Sequence, residues 1–184
     1  MQQVEPVWKQ RPMVIETRRL TIFPLSKKEM RLYIQPGNEL ETALGLSTGS
    51  RSITPELTDA LKHSIIPAIE HGYSRLEFVT LWTMIDRENN VMVGDLCFKG
   101  GPGHKDDVEI GYGTYPAFRG KGYMSEALAA LSVWALNCPE VRVVLAETKT
   151  ENAASQQVLT KAGFQQYKAE RGMIFWKKEA TRNR

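Results

Sequence analysis

The sequence predicts a single α/β domain with a mixed, mostly antiparallel twisted sheet and helices on both faces. Three observations carry this reading. The middle of the chain holds consecutive short strand-like runs with short connections. Directly after them comes an apolar pattern stepping by three and four residues. The chain then closes in the order strand, helix, two strands, and a β–α–β crossover joined to a meander gives a mixed sheet. The 184 residues suit one core, and 42% apolar with 24% charged residues is an ordinary packed composition. Residues 1–13 read as an arm, 14–178 as the domain and 179–184 as a tail.

Residues 16–24, around Leu20-Thr21-Ile22-Phe23, predict the first strand. Ser26-Lys27-Lys28-Glu29 has the form of a capping box, with Leu25 and Met30 as its hydrophobic staple. A short helix is therefore expected over 27–34, ending before Pro36-Gly37. Thr54-Pro55 marks a second helix start, and Pro67 should kink or end that helix near Ile66. Strands follow at 77–85 and 91–98, joined by the turn Asp86-Arg87-Glu88-Asn89-Asn90, and at 108–115 after Gly100-Gly101-Pro102-Gly103. Met124, Ala127, Leu128, Leu131, Trp134 and Ala135 place an amphipathic helix over 122–136. A strand at 141–148 precedes a helix from Asn152 to about Ala162, which Gly163 ends. Strands at 164–168 and 173–178 form a hairpin around Glu170-Arg171-Gly172.

Composition excludes several classes of function. A net charge of +3 without a recognition motif argues against nucleic-acid binding, and the four tryptophans do not interleave with a basic run. No apolar run is long enough to span a bilayer, and the first residues lack a signal-peptide core, so a cytoplasmic chain is expected. Cys97 and Cys138 have no metal-ligand or C-x-x-C spacing and read as small buried thiols. His63, His71 and His104 show no metal-binding spacing, and no metal is expected.

Residues 108–124 are the most informative stretch. They run from a strand through a tight turn with two glycines and two basic residues, Arg119-Gly120-Lys121-Gly122, into the long helix. Such a turn presents unpaired N–H groups beside the positive end of the helix dipole, an arrangement suited to a pyrophosphate. Gly120 and Gly122 admit close approach of phosphate oxygens, and Arg119 and Lys121 add charge. The Walker A pattern fails because Tyr115 and Gly122 stand at its key positions. The dinucleotide fingerprint fails because Gly111-Tyr112-Gly113 precedes the turn and Pro116 replaces its third glycine. Spacing alone fits a simple connecting turn equally well.

Arg119-Gly120-Lys121-Gly122-Tyr123-Met124 resembles the Gln/Arg-x-x-Gly-x-Gly/Ala signature of the GNAT superfamily of acyl-CoA-dependent N-acyltransferases, with Met124 in place of a small final residue. Asn152-Ala153-Ala154-Ser155 through Gly163-Phe164 resembles that family's second block. Glu16-Thr17-Arg18-Arg19-Leu20 is similar to the first strand of the branch that includes ribosomal-protein N-terminal acetyltransferases. The resemblance implies a split between two parallel central strands, here 108–115 and 141–148, holding acetyl-CoA as co-substrate. Tyr112, Gly113 and Thr114 would extend their ladder to the pantetheine amides. Backbone groups of Arg119, Gly120, Lys121, Gly122, Tyr123 and Met124 would hold the pyrophosphate. Asn152 would bond the pantetheine arm, cap its helix, or do both. The acceptor would be a primary amine, on a protein N-terminus or a small molecule, attacking directly without a covalent enzyme intermediate.

That attack needs a base, an oxyanion donor and an acid. Glu109 is the first candidate base, on one strand face with Gly111 and Gly113, and Asp95 is the second. A solvated or ion-paired glutamate is the other reading of Glu109. The tyrosine that many relatives use as acid is replaced by Leu159, which leaves Ser155, with Tyr112 and Tyr167 in reserve. Local bonding within the first helical turn is the alternative role of Ser155. The rival to an enzyme is a non-catalytic acyl-CoA- or partner-binding module on the same fold. A homodimer is compatible with such a fold.

Overall fold

The computed structural model describes residue 8 and residues 11–49, 51–72, 75–102 and 105–180. Most of the expected arm, the last four residues of the tail and His104 lie outside these. Eight strands form one sheet in the order β1-β2-β3-β4-β5-β6-β8-β7. The strands are β1 (Ile15–Glu16), β2 (Leu20–Pro24), β3 (Leu81–Asp86), β4 (Val91–Phe98), β5 (Asp107–Thr114), β6 (Val143–Lys149), β7 (Gln165–Glu170) and β8 (Met173–Glu179). Every neighbouring pair is antiparallel except β5 and β6.

Two helices, α5 (Tyr123–Leu136) and α6 (Ala153–Lys161), cover one sheet face. Their core joins Met124, Ala127, Leu128, Leu131 and Leu159 to Ile22, Trp82, Val93, Leu96 and Ile110. Trp82 and Trp134 pack there in a tilted pair with ring centres 4.8 Å apart. The other face is covered by α1 (Lys27–Tyr33), α2 (Glu39–Leu44), α3 (Pro55–Ala60) and α4 (Ile66–Glu70). Phe23, Leu25, Met30, Tyr33, Leu40, Leu61 and Tyr115 fill that second core. Ser26 and Glu29 form the expected capping box of α1, and Thr54 caps α3.

Four elements depart from the sequence reading. The first strand is a hairpin, because Thr17 N–H bonds back to the Leu20 carbonyl at 2.9 Å and the chain turns at Arg18-Arg19. Residues 76–78 are a 3₁₀ turn rather than strand, pinned by the Trp82 indole N–H on the Glu77 carbonyl at 2.8 Å. The break expected near Ile66 does not end the helical run; it takes the form of a π-turn over Leu61–Ile65, after which α4 restarts with Pro67 in its first turn. The helix α2 carries no start signal, since Asn38 makes no side-chain cap, and its end is set by Gly45 in the left-handed region.

One irregularity decides the site. Ile85 pairs with Met92 but Met84 pairs with Gly94, so Val93 is an extra residue in β4. This bulge breaks the alternation: Val93, Leu96 and Phe98 point to the α5 core, whereas Met92 and Cys97 point to the other. Asp95 is thereby turned toward α1. Next to the bulge, a Cβ on Gly94 would lie 2.5 Å from the Gly113 carbonyl oxygen and 3.1 Å from Thr114 Cα. Both are backbone atoms and cannot rotate away, so Gly94→Ala should force β4 and β5 apart. A loss of about 1–3 kcal/mol in urea unfolding is expected.

Candidate active site

Strands β5 and β6 pair only at Asp107–Val143, Val108–Val144 and Glu109–Leu145. Past Glu109 they part: β5 stays with β4 through Thr114, and β6 stays with β8 through Lys149. The strand edge over residues 111–114 is left open, and a cleft of ≈ 790 Å³ runs along it. At its far end residues 116–118 form a 3₁₀ turn, and the chain enters α5 through Gly120 at φ 74° and Gly122 at φ 78°. These left-handed values are open to glycine at little cost. The N–H groups of residues 120–125 find no carbonyl partner among the described residues. The first return bond is Glu126 N–H to the Gly122 carbonyl at 3.2 Å. A row of free donors at the positive end of a fourteen-residue helix has the chemistry to hold an anion.

Of the predicted site residues, Tyr112, Gly113, Thr114, Arg119, Gly120, Gly122, Tyr123, Met124, Asn152 and Ser155 all line this cleft. Met124 is buried in the α5 core, so it fills the cleft floor rather than projecting across it. Arg119 Nε donates to the Thr114 carbonyl at 3.2 Å. Lys121 does not line the cleft; its ammonium sits 5.2 Å from the Phe118 ring centre. Asn152 accepts from Ser155 N–H at 3.0 Å as the N-cap of α6. Ser155 Oγ and the Tyr112 hydroxyl share a hydrogen bond of 2.7 Å, and burial pushes the Tyr112 phenol up to about 12. Leu159 is fully buried in the core.

The two candidate bases stand differently. Glu109 is outside the cleft lining and ion-paired to Lys99, which also reaches Glu147 at 3.1 Å. Asp95 is on the cleft wall. Its Oδ2 accepts from the Tyr33 and Tyr115 hydroxyls, each at 2.6 Å, and its Oδ1 has no partner among the described residues. Burial raises this carboxyl from 3.8 to about 6, against the opposing effect of the two phenols and Arg51. Both phenols are themselves pushed well above their ordinary value by burial and by the Asp95 charge.

Sequence reading missed three features of the site. Tyr33 and Tyr115 reach Asp95 from opposite directions in the chain, and no local pattern connects them. Arg51 carries Tyr33: its guanidinium bonds the Tyr33 carbonyl, stacks 5.2 Å from the Tyr33 ring centre and pairs with Glu41 at 3.1 Å. Cys97, expected to be a small buried thiol, is only half-buried and faces Gly111 on the cleft wall. Burial raises its thiol to about 11, which keeps it protonated and a poor nucleophile.

Comparison with known proteins decides the family. The profile of the acetyltransferase (GNAT) domain matches residues 19–165. The chain belongs to the GNAT acetyltransferase family. A Bacillus subtilis (strain 168) relative, the uncharacterized N-acetyltransferase YjdG, is 36% identical over 83 residues, 45% of this chain and 49% of that protein. The match thus spans about half the relative's length. Among solved structures, a GNAT-family acetyltransferase from Bacillus anthracis superposes with a TM-score of 0.60 at 18% identity, covering 92% of this chain and 100% of that one. RimL, a ribosomal L7/L12 alpha-N-protein acetyltransferase solved in complex with coenzyme A, gives 0.61 at 17%, covering 91% and 98%. A ribosomal-protein-S5-alanine acetyltransferase from Vibrio fischeri gives 0.61 at 16%, covering 92% and 97%. These structural likenesses establish that this GNAT chain has the GNAT fold. Among its described residues, no helix is long and apolar enough to cross a membrane.

Proposed function

We propose that this GNAT protein transfers an acetyl group from acetyl-CoA to a primary amine, on a protein N-terminus or a small molecule. The observation that carries the reading is the continuity of one cleft from the open edge of β5 to the free N–H groups at the start of α5. The edge at Tyr112, Gly113 and Thr114 suits the pantetheine amides, and the turn from Arg119 to Met124 suits the pyrophosphate. Lys121 contributes its backbone there rather than its side chain. Acetyl-CoA supplies the activated acyl group and a thiolate leaving group.

The chain's own groups cover the remaining needs. Asp95 takes a proton from the incoming amine through a water, its Oδ1 being buried and its Oδ2 held by Tyr33 and Tyr115. A carboxyl near 6 is ionised at neutral pH yet remains basic enough to accept that proton. The backbone N–H of Tyr112, on the open edge of β5, stabilises developing negative charge. Ser155 Oγ, hydrogen-bonded to Tyr112, supplies the proton that the leaving group requires. Cys97 stays protonated, in keeping with direct attack.

Calorimetric titration with acetyl-CoA, with ATP and NAD as controls, tests the reading first. Saturable heat for acetyl-CoA alone is expected. At a hundredfold excess over Kd, ligand should stabilise the fold by about 2.7 kcal/mol in a melting experiment. Absence of both signals would sink the proposal. Binding without turnover across N-terminal peptides and polyamines would instead favour a non-catalytic acyl-CoA-binding module.

A further inference from the structure

The helix α5 begins with a conflict. Its N-cap, Gly122, offers no side chain, and the one acidic residue of its first turn is Glu126. A carboxylate there would ordinarily swing back onto the free N–H groups and occupy, or repel, the anion they are meant to hold. In this structure it does neither. Glu126 Oε1 accepts from the Thr17 hydroxyl at 2.6 Å and from Arg19 N–H at 2.8 Å, and Oε2 accepts from Arg19 Nε at 2.8 Å. Burial opposes ionisation, yet these bonds hold the Glu126 carboxyl below its ordinary value, so it stays charged and turned toward the β1–β2 hairpin. Arg19 uses its remaining reach on the turn itself: Nη1 donates to the Lys121 carbonyl at 2.9 Å, and the guanidinium stacks 4.6 Å from the Tyr123 ring centre. Nη2 lies 3.5 Å from where a Cβ on Gly122 would be. The Tyr123 hydroxyl donates to Asp86 at 3.0 Å, tying the same turn to β3.

We infer that Arg19, with Thr17, is a positioning residue for the phosphate end of the cleft, and that it works by neutralising Glu126 and holding the Lys121 carbonyl away from the anion. With the Lys121 carbonyl bonded outward, the adjoining Gly122 N–H is left for the ligand. The Thr17-Arg18-Arg19 turn of the hairpin thus serves a function 102 to 109 residues downstream, without itself lining the cleft. The inference rests on the acetyl-CoA reading given above.

The test compares CoA with pantetheine, which lacks the pyrophosphate, in calorimetric and competition titrations. Arg19→Gln should raise the Kd for CoA about tenfold, the scale of one uncompensated charge at a half-exposed site, and leave pantetheine nearly unchanged. Adding Glu126→Gln to Arg19→Gln should restore part of the CoA affinity without restoring the melting temperature, because the repelling charge is gone but the hold on the Lys121 carbonyl and the tether to the hairpin are still missing. Parallel weakening of CoA and pantetheine, or a double variant as weak as the single one, would show a purely structural contact and overturn the inference. If Arg19→Gln does not fold, Glu126→Gln alone decides: CoA binding as tight as wild type or tighter is expected, and weaker binding refutes it. Wild-type protein that binds no CoA at all would defeat the acetyl-CoA reading and this inference with it, a result distinct from those above.

Discussion

Asp95→Asn is expected to lower the rate of acetyl transfer by about 10²–10⁴-fold while leaving acetyl-CoA affinity at the wild-type level. The amide keeps the shape and accepts bonds from Tyr33 and Tyr115, but it cannot take a proton. Wild-type kcat/KM should rise as pH passes about 6, where this carboxyl ionises, and the variant should lose that limb. Glu109→Gln should stay close to wild type, since its carboxylate is engaged with Lys99 outside the cleft. The reverse pattern, a large loss in Glu109→Gln and none in Asp95→Asn, would transfer the role of base to Glu109.

Stability gives an independent reading of the same group. The folded state holds the Asp95 proton more tightly than the unfolded chain, so between pH about 4 and about 6 the folded protein binds more protons. Stability from this residue therefore falls as pH rises through that window, by about 3 kcal/mol in all. The Asn variant should lack this slope. A wild-type melting temperature that rises across the window relative to Asp95→Asn would contradict the burial argument.

Arg51→Ala carries the largest expected loss of stability. Its partner Glu41 is fully buried, and the Arg51 side chain is only 6% exposed. Glu41 Oε2 has no hydrogen-bond partner among the described residues, so the pair is held by Arg51 on one side only. Removing the guanidinium leaves an uncompensated buried charge, at a cost of about 3–5 kcal/mol in denaturant unfolding. It also frees the Tyr33 and Gly37 carbonyls that the guanidinium holds. Replacing both partners, Arg51→Met with Glu41→Leu, should recover much of that stability, because two apolar groups need no partner. Turnover should recover less, since Tyr33 would lack its clamp beneath Asp95. Full recovery of turnover in the double variant would show that Arg51 has no bearing on the site.

The anion turn was legible in the sequence because its chemistry is local. Glycines two apart, a basic residue before and another between them, and an apolar 3–4 pattern beginning at Met124 fix a strand–turn–helix, and the helix terminus supplies the donors whatever surrounds it. The alternation that sets Glu109 beside Gly111 and Gly113 was equally local, and so was the capping box that starts α1. The side chain of Lys121 was not legible in the same way: sequence gives its charge but not the direction it takes, and its ammonium lies 5.2 Å from the Phe118 ring centre.

What sequence alone determined is the order of elements, the crossover that makes β5 and β6 parallel, and the glycine-rich strand–turn–helix that resembles the GNAT signature. Tertiary structure decided which carboxylate meets the cleft. Alternation along β4 cannot be counted through a bulge whose only trace is a register shift against β3, and that one extra residue turns Asp95 toward Tyr33 and Tyr115. Burial then sets its acidity, through phenols that lie 62 and 20 residues away in the chain. Contacts at such separations leave no periodicity in the sequence, because they are fixed only when the two cores close on opposite faces of the sheet.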